Sequence, residues 1–420
     1  ARSVESDRAA LRRNGTDLIE MAKKVLVLGG SFGGLTAAIA IKHELEHDVD
    51  VTVIGASDRF LFNPSLIWLP FGKRKAKDIT FKLAPTFDKN GVEFVHAAAT
   101  GIDPIAQTVA VGDASYAYDY LVIATGYRNN FNIIPGLGPD GYANTITTLE
   151  DATLAGENWK KFLDNPGPVV VGATQSAGCF GAAYEFLFNM SYQLKKHKIK
   201  DRAPLTYVTS EPFLGHFGIG GLPHGEQLLG MFLKKEKIEA VTNATMEYVD
   251  KDHLKLADGT ELPYKYSMII PPFVGQDFLK STGLADDKGY IKVLDTYQTP
   301  QYANIYAVGI AAAVDVPWQT AVPVGIPKTG FPTEQMAHVA AKNIASQIRG
   351  EVPEDDKEFA DIKAICVMDA GNNGVMILAD KMLPPRKHGV LVPGPQNHAM
   401  KVGFEKYSLW KMKKGHVGLP

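Results

Sequence analysis

The feature that most constrains the fold lies near the start of the chain. Val25-Leu26-Val27-Leu28 is a continuous apolar run, as expected of a strand buried on both faces of a parallel sheet. It enters Gly29-Gly30-Ser31-Phe32-Gly33-Gly34, continues into a helical stretch from Leu35 to His43, and returns as Val51-Thr52-Val53-Ile54. Strand, glycine turn, helix and strand in that order form the context in which a dinucleotide motif is credible. Glycines let backbone approach a pyrophosphate, and the helix N-terminus supplies N–H groups with partial positive charge. Two positions depart from the usual fingerprint. Ser31 stands at the second glycine, and Gly55 stands where an acid would hold the ribose. On this motif alone, a βα turn without a ligand stays open.

Composition narrows the class. A chain of 420 residues predicts two or three domains with core enough to fold without disulfides, and two cysteines cannot form a disulfide scaffold. A formal net charge of -2 argues against nucleic acid as the main partner, because phosphate binding needs a basic surface. No metal-ligand pattern stands out, and no apolar run is long enough to cross a bilayer. Residues 1–20 are polar and charge-rich and read as an added leader, without the apolar region of a secretory signal.

Further segments fit one architecture. Leu121-Val122-Ile123-Ala124-Thr125-Gly126 is a second apolar strand ending in a glycine turn, and Thr299 to Gly309 resembles the strand that closes an FAD site in two-dinucleotide flavoproteins. Ile310 replaces the usual acid after that glycine, which leaves the ribityl chain to backbone groups. Val169 to Gly178 repeats the strand-and-turn pattern, followed by a strand at Leu205 to Ser210. Here Thr174 and Ala177 replace the second and third fingerprint glycines, which disfavours NADH. The expected fold is α/β, with two Rossmann-like dinucleotide-binding domains in a glutathione-reductase-like order. Residues 21–150 and 296–365 form the FAD domain, 151–295 the second Rossmann-like domain, and 366–420 a C-terminal quinone and membrane region.

Cys179 follows the second turn, in Gly172-Ala173-Thr174-Gln175-Ser176-Ala177-Gly178-Cys179-Phe180-Gly181-Ala182-Ala183-Tyr184-Glu185. With Ser210 to Gly218, Val324 to Gly330, Cys366 and Asp369, and Phe404-Glu405-Lys406-Tyr407, this chain resembles the sulfide:quinone oxidoreductases. The related flavoprotein of flavocytochrome c sulfide dehydrogenase is a further likeness. The resemblance implies FAD, hydrogen sulfide and a membrane quinone as partners, with polysulfide or elemental sulfur as product. It implies that Cys179 and Cys366 flank the flavin, and that HS⁻ attacks a bridge between them and leaves a persulfide. Such exchange needs a thiolate leaving group in positive potential. Two small buried hydrophobes are the other reading of the pair.

The remaining site expectations carry alternatives. Glu185 would relay a proton, or else satisfy a backbone group or a lysine. His216 would serve proton transfer or fix its own loop by a hydrogen bond. Lys328 would set positive charge near the flavin N1–C2=O edge, or lie on the surface. Gly29, Ser31, Phe32, Gly33, Gly34, Ser57, Pro64, Ala98, Ala124, Thr125, Gly126, Gly309, Ile310, Lys328 and Gly330 are expected around FAD. Phe331 and Phe404 are the candidate quinone contacts.

Many members of that family carry a third cysteine where this chain has Thr147, so FAD is expected to be non-covalent. The tail Phe404 to Lys414 mixes aromatic residues with lysines, as an interfacial helix does. A terminal helix packed on its own domain is the alternative. A peripheral, monotopic protein of the cytoplasmic membrane and a homo-oligomer are expected, with attachment weakened because the chain stops at Pro420. Other function classes stay open: a type II NADH:quinone reductase, a sulfide dehydrogenase serving a cytochrome, and a redox-silent FAD-binding protein.

Overall fold

The apolar runs pair in the order that buries each on both faces. The computed structural model describes residues 22–419, so the expected leader at 1–20 lies outside the described residues. A five-stranded parallel sheet runs Ile305–Ala307, Tyr120–Ile123, Lys23–Leu28, Val49–Gly55, Glu93–His96. Its centre is the first strand, with Val25 opposite both Val51 and Tyr120. The helices Phe32–Leu45 and Gly330–Ile348 lie together beside it, and small residues let them approach. Ala37, Ala38, Ala337, Ala340 and Ala341 are buried there. A Cβ on Gly34 would fall 1.8 Å from the Gly29 carbonyl oxygen, so only glycine closes this turn.

A second parallel sheet runs Ile238–Val241, Leu205–Thr209, Val169–Ala173, Tyr266–Ile270. The helix Phe180–Lys196 packs on it with Phe180, Tyr184, Phe186 and Leu187 inward. The strand Ile305–Ala307 returns to the first sheet after this whole second sheet. The chain therefore leaves the first unit, builds the second, and comes back, as the α/β expectation requires.

The C-terminal region is a third layer. Strands Ala364–Asp369, Gly374–Ala379 and Gly389–Pro393 form an antiparallel sheet, with Cys366 opposite Ile377. The helix Gln396–Lys414 follows the last strand after Gly394 and Pro395. Its packing inverts the usual amphipathic rule. Asn397, Lys401, Glu405, Ser408 and Lys411 are buried, while Met400, Phe404 and Trp410 are exposed. Asn397, Lys401, Glu405 and Lys411 face inward because each meets a partner there. Among the described residues, no helix is long and apolar enough to cross a membrane.

Candidate functional site

The first glycine turn has the features of a dinucleotide cradle. Gly29 sits at φ 104°, where a Cβ would meet the Ala124 carbonyl oxygen at 2.3 Å. Ser31 caps the helix Phe32–Leu45 without a side-chain hydrogen bond, and no acid lies in its first turn. The first amides and their partial positive charge are thus left for an anion. Gly33 faces Thr333 and Val308, and the buried Thr125 hydroxyl has no partner of its own beside Ala124 and Gly126. Ser57 and Ala98 lie exposed, each just beyond the C-terminal end of a parallel strand, as the adenosine end of such a site requires. These residues fit FAD.

The far end of that cradle is built by the helix Gly330–Ile348. Thr329 caps it without a side-chain bond, and Phe32 packs against Gly330. Lys328 is buried, which rules out the surface-lysine alternative. Its Nζ donates to the carbonyls of Ile310 and Ala312 at 3.0 and 2.5 Å and sits 4.4 Å from the Tyr290 ring centroid. Burial brings its pKa down to about 7, with only Asp286 pulling upward. It therefore holds the Gly309–Ala311 turn and keeps a titratable amine there. Ile310 is half-buried and contributes its carbonyl to Lys328.

The second glycine turn is closed by the chain itself. A Cβ on Gly178 would fall 2.0 Å from the Phe273 ring, which stacks on Tyr127 at 3.9 Å. The Ser176 amide donates to Pro323 at 2.7 Å, and Gly325 lies against the Ala177 carbonyl. Gln175 exchanges both its amide groups with the Met246 backbone. Sequence reasoning placed the obstacle to NADH in the Thr174 Cβ. The structure adds Phe273 and the Pro323–Gly325 strap, which cover the same amides from outside.

Cys179 caps the helix Phe180–Lys196, and Cys366 lies on the C-terminal strand Ala364–Asp369. Both thiols are free, and each keeps some accessible surface. Burial raises the Cys366 thiol to about 12, and the charge of a neighbouring Cys179 adds to that rise. Burial also raises Cys179, although the amides of Ala182 and Gly181 at its helix N-terminus pull the other way. The fold has brought together two thiols from distant segments, which a pair of unrelated core cysteines would not require.

One cation serves both thiols. Lys401, from the C-terminal helix, pairs with Glu185 at 2.9 Å, their side chains only 5% and 7% exposed. Its charge lowers both Cys179 and Cys366, opposing their burial. Burial alone would depress Lys401, but Glu185 and Cys366 outweigh it and raise the amine. Glu185 also accepts the Asp369 amide at 2.7 Å, and burial lifts its carboxyl above the usual range. Glu185 thus binds both a lysine and a backbone group, the structural alternative for it. Lys401 escaped sequence reasoning. The signal was polar spacing at 401, 405 and 408, one face of a helix, masked by the expectation that such a face meets solvent.

Other polar clips join the tail to the flavin side. The Ser65 hydroxyl, next to Pro64, donates to Glu405 at 2.5 Å, and Arg74 Nε reaches both Glu405 oxygens at 2.9 Å. Lys411 pairs with Glu334 at 2.5 Å. Phe404 is exposed, and its ring lies 5.8 Å from Phe62, itself beside Phe32. Phe331 is half-buried at the start of its helix. His216 is buried between Phe213 and Trp318, and its Nδ1 accepts the Gly218 amide at 3.3 Å. Burial, with Arg386 nearby, lowers it to about 4, so it is neutral and fixes its loop.

Thr147 is buried. Its hydroxyl donates to Asn129 at 2.9 Å, and its carbonyl accepts the Tyr127 hydroxyl. Tyr127 is held above its ordinary range by burial first and by Cys179 second, so the hydroxyl that the Thr147 carbonyl accepts belongs to a ring in the field of Cys179.

Comparison with known proteins agrees with this fold. The pyridine nucleotide-disulphide oxidoreductase family matches residues 23–341. A sulfide-quinone reductase of Aquifex aeolicus is 36% identical over 405 residues, covering 94% of this chain and 93% of that protein. The crystal structure of the Aquifex aeolicus sulfide:quinone oxidoreductase superposes with a TM-score of 0.90, over 95% of this chain and 93% of that one. A type II NADH:quinone oxidoreductase of Staphylococcus aureus is 24% identical, over 87% of this chain and 92% of its own. At that level the likeness extends to the fold alone. With 36% identity over nearly its whole length and the same fold, the chain belongs to the sulfide:quinone oxidoreductase family of FAD-dependent pyridine nucleotide-disulphide oxidoreductases.

Proposed function

We propose that this protein oxidises sulfide at Cys179 and Cys366 and passes the electrons through non-covalent FAD to a membrane quinone. The observation that carries the reading is the convergence of both thiols on Lys401. Bound FAD supplies a two-electron acceptor that can release electrons singly or in pairs. The chain's own residues supply the sulfur chemistry. HS⁻ attacks a sulfur bridging the two cysteines, one bond forms and the bridge bond breaks, and the departing thiolate is stabilised by Lys401. Glu185 fixes Lys401 and balances its charge when the thiols are neutral. The helix N-terminus at Cys179 favours the anion further. Re-forming a bridge between the resulting persulfide and the thiolate releases two electrons and a proton, the electrons passing to bound FAD, and each further HS⁻ then lengthens the sulfur chain toward polysulfide.

Quinone access is supported by the tail. Exposed Met400, Phe404 and Trp410 on the last helix, with exposed Ile365 and Val390 on the adjacent sheet, offer apolar contacts for an interface. Lys406, Lys413 and Lys414 on the same helix are exposed, as in an interfacial helix that meets anionic headgroups. Phe404, in ring contact with Phe62, is the candidate quinone residue, with Phe331 on the neighbouring helix. These exposed apolar and basic side chains support the reading of a peripheral protein of the cytoplasmic membrane. The test is anaerobic: sulfide should bleach the flavin band and a quinone analogue restore it, while NADH should not bleach it. Bleaching by NADH alone would replace this reading with the NADH:quinone one.

A further inference from the structure

A second charged cluster lies directly behind the cysteine site, and none of the chemistry above uses it. Asp369, three residues after Cys366, is fully buried, with its side chain 0% exposed. His398 Nδ1 contacts its Oδ1 at 2.5 Å, and the His398 side chain is 35% exposed. The other carboxylate oxygen accepts Trp68 Nε1 at 2.7 Å and the Gly371 amide at 3.2 Å. Lys73 Nζ stands 3.7 Å away, and it also donates to Asn189 and Gly371. Burial alone would raise Asp369, but Trp68, His398 and Lys73 outweigh it and hold the carboxyl below its usual range.

Asp369 is bound to the cysteine site on its other side. Its amide donates to Glu185 Oε1, and Lys401 donates to Val367 of the same strand at 3.1 Å. The Asp369 charge raises both Glu185 and Lys401. The groups that set the local field are thus His398 and Lys401 on the last helix, Asp369 on its strand, and Glu185 on the cysteine helix. Lys73 and Arg74 complete it from the loop, Arg74 lying over Trp68 and paired with Glu405.

We propose that His398, acting through Asp369, is a positioning residue that sets the positive potential at the Cys179–Cys366 pair. A proton on His398 neutralises Asp369, which leaves the Lys401 charge to Glu185 and the departing thiolate. With His398 neutral, Asp369 is answered only by Lys73 and by Lys401 itself, and the thiolate is held less well. No bond other than that to the exchanged proton changes. Among the described groups of this cluster, His398 combines direct contact with Asp369 and access to solvent, and an imidazole can carry or release a proton. The inference rests on the sulfide reading given above.

The test is the rate of anaerobic flavin reduction by sulfide, compared at equal HS⁻ concentration in the FAD-loaded protein. Taking ratios between variants cancels the titration of the thiols. The wild-type to His398→Gln ratio should rise from near one at about pH 8.5 to about threefold at about pH 5.5, half a pKa unit of coupling. Asp369→Asn should do the reverse, exceeding wild type about threefold at the alkaline end. Structural damage would slow both variants at every pH. If Asp369→Asn does not retain FAD, His398→Arg, which fixes the positive charge, should show the same fast alkaline rate. Ratios that stay flat with pH, in a wild type that sulfide does bleach, overturn this inference alone. A wild-type flavin that sulfide fails to bleach overturns it together with the sulfide reading.

Discussion

Removing Lys401 exposes how the site is held together. In Lys401→Met, Glu185 loses its partner at 2.9 Å and keeps only the Asp369 amide, while both carboxylate oxygens remain buried. Breaking a buried ion pair from one side costs about 3–5 kcal/mol. Glu185 can escape by taking up a proton, so the loss depends on pH. Its folded pKa already lies above the ordinary value, and losing Lys401 drives it higher. A carboxyl raised in the folded state destabilises as pH climbs from the unfolded pKa, about 4.3, to the folded one. A defect of about 3 kcal/mol corresponds to a rise of about two pKa units. The defect in Lys401→Met should therefore be small at about pH 5 and full at about pH 8. Denaturant unfolding of the flavin-loaded protein, followed by circular dichroism at both pH values, measures it. Adding Glu185→Gln to the variant should restore most of the alkaline stability. A defect independent of pH, or a double variant no better than the single one, refutes the argument.

Three further outcomes follow from the same geometry. Glu211 is buried beneath the His216 loop, accepting Tyr184, Tyr207, Thr209 and the Phe217 amide, and burial raises it to about 7. Its folded pKa exceeds the unfolded one, so stability should fall between about pH 4.5 and 7, and Glu211→Gln should flatten that slope in a thermal unfolding series. Thr174→Gly should not let NADH bleach the flavin, because Phe273 and Pro323 still cover the turn; rapid bleaching would contradict the closure. Phe404→Asp with Trp410→Asp should cut sedimentation with anionic vesicles about tenfold or more while leaving sulfide bleaching in place, since both side chains are exposed.

The fold was legible because its signals are local. Buried parallel strands have no polar face, so Val25 to Leu28 and Val169 to Val171 read as unbroken apolar runs. The glycines between strand and helix are required by contact, as at Gly34. The cysteine pair was legible because the chain has two thiols and each lies beside a recognisable segment. What stayed hidden were partners supplied from far along the chain. Lys401, Glu405 and Lys411 look like the wet side of a tail helix. They are buried because Glu185, Arg74, Ser65 and Glu334 converge on them from elsewhere. Periodicity reports that a face exists, not which face finds its partners. The closed second turn was hidden for the same reason: Phe273 and Pro323 reach it through tertiary contact.

The central claim is that the sulfur chemistry runs on Cys179 and Cys366 alone, in the field of Lys401. It is tested most directly by stopped-flow reduction of the bound flavin by sulfide, under anaerobic conditions, in wild type, Cys179→Ala and Cys366→Ala. The account predicts rapid bleaching in wild type and a loss of about a hundredfold or more in each variant, with FAD retained and the absorbance spectrum of the oxidised flavin preserved. Wild-type rates in either variant would contradict it.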